Sequence, residues 1–269
     1  MIERFQIFLL KVKRSIAITL DKTLIKAQTA LSSGDLSNSY FCPCCGKSCV
    51  RFADWSSKYR NVVCPNCDSQ PRHRALALYL EKQANFVGEK LKFLHFAPTT
   101  SLRRRFSSMS NLEYTTADLN NSSVDVKIDV TQIPYPDNTF DVIFCNHVLE
   151  HVMDDRKAMG ELFRVLKPGG WASLQVPLSR KREKTFEDPK IVSPQERLRH
   201  FGQEDHVRLY GLDYKDKLQE AGFIVEIENL TQILDSDRIR KYGLNPKEDL
   251  YFGNKPIDFL QKSGNREKN

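Results

Sequence analysis

Apolar residues recur at helical spacing near the start of the chain, at Ile2, Phe5, Phe8, Leu9 and Val12, with Lys11, Lys13 and Arg14 beside them. This predicts an amphipathic helix within an N-terminal segment spanning 1–38. From residue 91 the pattern changes to short apolar runs separated by helical stretches. Strands are predicted over Phe93–Ala97, Leu112–Ala117, Val124–Ile128, Asp141–Cys145, Trp171–Val176, Phe223–Ile227 and Leu250–Phe252. Helices are predicted after Pro98, around Leu102 and Phe106, over about Asp154–Leu166, where Lys167-Pro168-Gly169-Gly170 stops the helix, and over Tyr214–Ala221. Alternating strands and helices predict an α/β fold over 91–256, a doubly wound sheet whose ligand crevice lies beyond the carboxyl ends of its strands. Between the second and third strands only Asn120-Asn121-Ser122-Ser123 intervene, too few residues for a helix.

Length and composition narrow this picture. At about 150 residues per domain, 269 residues accommodate one large domain and a small module. Hydrophobic residues at 40% and charged residues at 28% exclude a wholly disordered or collagen-like chain. The net charge is +7, and residues 1–90 hold all of that surplus while the remainder nets to zero. No apolar run reaches the roughly 18 residues of a transmembrane helix. The first segment lacks a small-residue cleavage site, so it is not read as a signal peptide, and the cytoplasm is the expected compartment. A basic amphipathic helix suits either docking on its own protein or a peripheral membrane contact.

Six of the seven cysteines fall between residues 42 and 67. Cys42-Pro43-Cys44-Cys45 and Cys64-Pro65-Asn66-Cys67 form two C-x-x-C pairs with 18 residues between the inner cysteines. That is a zinc-ribbon or rubredoxin-like spacing, in which two knuckles complete a tetrahedral four-thiolate site. Cys42, Cys45, Cys64 and Cys67 give matched knuckles and are the expected ligands of a structural Zn²⁺ within a module over 39–90. Cys44 lies within reach by a small register change, and iron is the chemical alternative. Pro71 opens a helix after the second knuckle, and Arg72 and Arg74 beside it are candidates for binding a phosphate or carboxylate or for structural ion pairs.

The run Asp129-Val130-Thr131-Gln132-Ile133-Pro134-Tyr135-Pro136-Asp137-Asn138-Thr139-Phe140-Asp141-Val142-Ile143, continued by Asn146-His147-Val148-Leu149-Glu150-His151-Val152 and by Leu166-Lys167-Pro168-Gly169-Gly170-Trp171, resembles the central stretch of class I S-adenosylmethionine-dependent methyltransferases of the type 11 group. The resemblance covers roughly 91–256. It implies a Rossmann-like seven-stranded sheet, S-adenosyl-L-methionine as cofactor, Asp118 on the ribose hydroxyls, and Asp129 with the Val130 amide on the adenine. It also puts Phe96, Ala97 and Asn146 among the cofactor-binding positions. The loop after the first strand departs from the family, because Leu94-His95-Phe96-Ala97-Pro98-Thr99-Thr100 has no glycine where backbone must approach the cofactor closely. A similar run occurs in zinc-ribbon-bearing relatives.

An insertion over about 179–213 occupies the place of a substrate lid. Within it His206, Arg208 and Tyr210 share one face at period two if the segment is extended. His206 is a candidate base for a hydroxyl or amine acceptor, Arg208 a candidate holder of an anionic group, and His147 after the fourth strand a second candidate base. Solvated charge and a packed tyrosine are the structural alternative, and Glu150 and His151 read as packing or helix-start polarity. The expected activity is methyl transfer to a saccharide, another small molecule or RNA. The alternative is a non-catalytic zinc-ribbon binding protein with a degenerate methyltransferase fold.

Overall fold

The computed structural model describes residues 2–32 and 39–257. Residues 33–38 of the expected N-terminal segment and 258–269 of the expected tail lie outside these. In chain order the elements are α1 (Ile2–Leu31), β1 (Tyr40–Cys42), β2 (Lys47–Cys49), α2 (Pro71–Glu81), α3 (Ala84–Gly88), β3 (Leu91–Phe96), α4 (Thr100–Ser107), β4 (Leu112–Asp118), β5 (Val126–Lys127) and β6 (Phe140–Cys145). A 3-10 turn (Leu149–His151) then leads to α5 (Asp155–Val165), β7 (Leu166–Ser173), β8 (Phe186–Glu187), α6 (Pro194–Phe201), β9 (Arg208–Leu209), α7 (Tyr214–Glu220), β10 (Ile224–Glu228), α8 (Ser236–Tyr242) and β11 (Leu250–Asn254). The described residues divide into two compact units, one within 2–88, 99–109 and 229–249 and the other of 89–98, 110–228 and 250–257. The grouping of 99–109 and 229–249 with the N-terminal residues departs from a continuous domain over 91–256.

In the first unit α1 packs through polar anchors. Asp21 pairs with Arg51 and accepts the Asp54 amide at 3.0 Å, Lys22 pairs with Asp68 at 2.6 Å, and Arg14 covers the Trp55 ring. Ile25 is buried, whereas Val12, Ile16, Leu20 and Leu24 form an exposed apolar stripe. The predicted apolar positions before residue 11 have no described side chains. No helix of the described residues is long and apolar enough to cross a membrane.

Arg74 is fully buried in this unit and stacks over Phe52 at 3.9 Å. It donates to the carbonyls of Val62, Ser69, Tyr242 and Gly243. A desolvated guanidinium is tolerated only where its donors are matched in this way. Arg74 thus ties together three stretches of the unit, and it offers no exposed anion site.

The second unit is built on a seven-stranded sheet in the order β10-β11-β7-β6-β3-β4-β5. Strands β3 to β7 run parallel, and β11 is antiparallel to both neighbours. The central strands β3 and β6 are almost wholly buried, as continuous apolar runs must be when both faces are covered. Leu94, Ile143, Leu162, Leu174 and Tyr214 belong to the contiguous core. Helix α5 stops at Val165 because Leu166 is already extended. The Lys167-Pro168-Gly169-Gly170 stretch forms a bulge in β7 between the Phe140–Leu166 and Val142–Trp171 pairs. A Cβ on Gly170 would stand 2.7 Å from the Asp141 carbonyl oxygen. Lys255, just past β11, donates to the last carbonyls of α5 at Phe163 and to Leu166, and burial pushes its pKa down to about 8. A two-stranded sheet of β8 and β9 and the short α6 organise the insertion over 179–213.

His95, on β3, is buried, and its Nδ1 lies 2.9 Å from the Tyr114 hydroxyl. Burial lowers its pKa to about 3, so it remains neutral in the native state at pH values where an unfolded histidine takes up a proton. Between the unfolded value near 6.5 and the folded one the unfolded chain binds the extra proton, so stability drops by about 1.4 kcal/mol for each unit by which the pH is lowered. Urea unfolding at about pH 6 and pH 5 is expected to show wild type losing roughly that much more than His95→Gln. Equal losses would show that His95 is not held neutral by the fold.

Candidate functional site

The parallel run from β3 to β7 brings the carboxyl ends of five strands to one edge of the sheet. Phe96 and Ala97 end β3, Asp118 ends β4, Asp129 and Val130 follow β5, and Asn146 and His147 follow β6. All six residues expected to bind cofactor therefore share this edge, and His147 stands with them.

Two of these positions carry left-handed backbone: Ala97 at φ 46° and His147 at φ 57°. Ala97 adopts the conformation for which glycine is ordinarily used, and its amide is held by the Ala117 carbonyl at 2.8 Å. The alanine methyl is exposed, so the close backbone turn survives without a glycine. His147 is fixed by its amide on the Gln175 carbonyl at 2.7 Å.

The missing helix between β4 and β5 is replaced by a turn around Asp118. Its Oδ1 accepts the amides of Asn120 and Asn121 at 2.7 and 2.8 Å, which aims the half-buried carboxylate at the sheet edge. Exposed Asp129 accepts the Thr131 amide and hydroxyl, both at 2.8 Å, through one oxygen. The Asn146 side-chain oxygen accepts from the Ser173 hydroxyl and the Gln175 amide, each at 2.9 Å, which fixes the orientation of its NH₂ group. Gln175 in turn bonds both the amide and the carbonyl of Tyr251, so its side chain extends the β7–β11 pairing beyond the backbone ladder. The apolar pattern of β7 did not single out Ser173 or Gln175.

Arg208 and Tyr210 correct the reading of the insertion. Arg208 is 3% exposed and donates to the carbonyls of Leu149, Val152 and Met153 and to Glu187. The Tyr210 hydroxyl is buried on Asp155 at 2.8 Å. Neither faces solvent to meet an anionic acceptor; both lock the turn that follows β6. Arg208–Leu209 form β9 and Tyr210 bridges to Leu178, but burial of His206, Arg208 and Tyr210 keeps this stretch from presenting a catalytic row. His206 is buried, and burial is the leading cause of its lowered pKa. His147 Nδ1 lies 3.3 Å from Glu150 Oε1, a buried carboxylate that orients the ring.

In the first unit, Cys42, Cys45, Cys64 and Cys67 bring their sulfurs within 4.8 Å of one another. Cys42 and Cys67 are 3.6 Å apart and Cys45 and Cys64 3.8 Å. A tetrahedron with metal–sulfur bonds of about 2.3 Å has edges of about 3.8 Å, so this set could hold a metal ion. Cys44 is buried beside the cluster, and its neighbour Cys42 together with burial pushes its thiol up. Burial pushes Cys49 up to about 11. His73 accepts the Gln70 amide at the start of α2 and takes no part in the cluster.

A family model described as a methyltransferase domain matches residues 98–174. The chain is similar to the ubiquinone/menaquinone biosynthesis C-methyltransferase UbiE of Cronobacter sakazakii, 39% identical over 67 residues, 25% of this chain and 22% of that protein. Its counterpart in Pasteurella multocida is 47% identical over 45 residues, 17% of each chain. The chain thus spans about a fifth of the length of these curated relatives. Among solved structures, the cyclase SpnF overlaps 68% of this chain and 83% of its own at 16% identity and a TM-score of 0.48. YcgJ of Bacillus subtilis overlaps 68% and 99% at 19% identity and a TM-score of 0.46.

A left-handed alanine costs about 1–2 kcal/mol that glycine does not incur. Ala97→Gly is therefore expected to leave the unfolding free energy unchanged or raise it by up to about 1 kcal/mol. A loss of 1 kcal/mol or more in chemical denaturation contradicts strain at this turn.

Proposed function

We propose that the chain is an S-adenosylmethionine-dependent methyltransferase whose cofactor lies along the carboxyl edge of β3 to β6. The observation that carries this reading is Asp118, a carboxylate fixed by two turn amides at the end of β4, beside the left-handed Ala97 turn that ends β3. An oriented carboxylate grips a pair of ribose hydroxyls through charge-assisted hydrogen bonds. Asp129 and the Val130 amide suit the adenine edge, and the Phe96–Ala97 backbone with the Asn146 amide suits the remainder. When bound, S-adenosylmethionine supplies an electrophilic methyl group on a sulfonium. The chain's own task is then to align an acceptor nucleophile and accept its proton. His147, with Glu150 Oε1 at its Nδ1, is the base this arrangement favours. Arg208 and Tyr210 act as positioning residues.

A small-molecule or saccharide acceptor fits better than RNA. Of the surplus cations of the first 90 residues, Arg74 is buried on four backbone carbonyls and is not available to a polyanion. The four-cysteine set is best filled by a structural Zn²⁺, since it offers four thiolates and no open position. The exposed stripe from Val12 to Leu24 supports a peripheral surface contact through α1.

Calorimetry with S-adenosylmethionine and S-adenosylhomocysteine tests the reading. Both are expected to bind, and Asp118→Ala to weaken them about tenfold or more, given ~1.5–3 kcal/mol for a hydrogen bond to a charged group. Absence of binding at millimolar ligand favours the non-catalytic binding protein, and unchanged affinity in Asp118→Ala removes the assigned ribose contact.

A further inference from the structure

Three polar atoms near the turn after β6 are buried without a hydrogen-bond partner: His147 Nε2, Glu150 Oε2 and His206 Nε2. Leaving a buried acceptor unsatisfied costs roughly 1–3 kcal/mol, more when it is charged. Glu150 is 1% exposed and His206 2%. Glu150, His151 and His206 each bring one ligand-capable atom within 4.8 Å of the others. The rings of His151 and His206 stand edge to face at 4.7 Å between centroids.

We propose that Glu150, His151 and His206 form a metal centre separate from the four-cysteine set, taking one divalent transition-metal ion through two imidazole nitrogens and a carboxylate oxygen. Such an ion satisfies Glu150 Oε2 and His206 Nε2 at once. The donor set suits zinc or iron(II) and not magnesium or calcium, which take oxygen ligands. Three protein ligands leave coordination open, unlike the closed four-thiolate cluster. The supporting contacts are those that metal-binding side chains need. His147 Nδ1 holds the other Glu150 oxygen at 3.3 Å, and Asp205 Oδ2 lies 3.4 Å from His151 Nδ1. The backbone is fixed as well. Arg208 grips the carbonyls of Leu149, Val152 and Met153 on either side of the pair, and the Val207 amide donates to the Glu150 carbonyl at 2.9 Å. The open side faces outward past His151, whose side chain is 34% exposed.

Cobalt(II) titration of the chelator-treated full chain, followed by absorption, separates this centre from the cysteines by ligand type. Wild type is expected to bind one equivalent with weak d–d bands and no thiolate charge transfer, besides any equivalent that shows the intense thiolate bands. His206→Ala and His151→Ala are each expected to weaken the non-thiolate equivalent about 100-fold or more while keeping the thiolate bands and the circular dichroism of wild type. His151 is partly exposed, so its variant gives a valid reading even if His206→Ala fails to fold. The proposal is overturned if wild type binds no non-thiolate cobalt, or if that equivalent persists with unchanged affinity when His151 is replaced.

Discussion

Arg208 carries a full charge into the interior of the second unit, where desolvation costs several kcal/mol unless every donor is matched. Its matches are three backbone carbonyls of one short turn and the carboxylate of Glu187. Because those carbonyls belong to Leu149, Val152 and Met153, the guanidinium dictates the path of the chain between β6 and α5. Glu150 and His151 sit inside that path, and His147 enters it through a left-handed residue. Tyr210 reinforces the same turn through Asp155 at the start of α5, where Lys217 also pairs at 3.2 Å. The candidate chemistry at the sheet edge depends on this clamp more than on the apolar core beneath it. A core specifies where strands lie, whereas a rigid polar clamp specifies where a loop side chain points.

Arg74 performs the same task in the first unit. There the buried guanidinium gathers carbonyls from the cysteine module and from residues 242–243, so distant stretches of sequence close around one charge. By sequence both residues are candidates for an anionic ligand, with a structural ion pair as the alternative for Arg74. Both are spent on backbone, which changes the meaning of the overall +7.

The central strands were legible because a buried parallel strand must be a short apolar run, and each of the seven runs in the pattern became a strand with ends shifted by a few residues. The absence of a helix between β4 and β5 followed from chain length alone, and the cysteine spacing pointed to the four sulfurs that meet. Other features depend on long-range geometry that local patterns do not encode. Glu150 and His206 are far apart in sequence, and nothing in either neighbourhood announces the other. Gln175 resembles any strand-end polar residue until its side chain is seen bonding Tyr251. The glycine-free loop looked like a departure from cofactor binding. Ala97 shows how the backbone makes the turn regardless, by accepting a conformation that glycine would adopt without strain.

The central claim is that the carboxyl edge of β3 to β6 receives S-adenosylmethionine. Hydrogen–deuterium exchange of the full chain with and without S-adenosylhomocysteine tests it directly, because it reports where a ligand orders the backbone. Protection is predicted at the turns around Ala97, Asp118, Val130 and Asn146, the four strand ends that meet at this edge. Protection confined to residues outside these turns, or none at saturating ligand, would contradict the account.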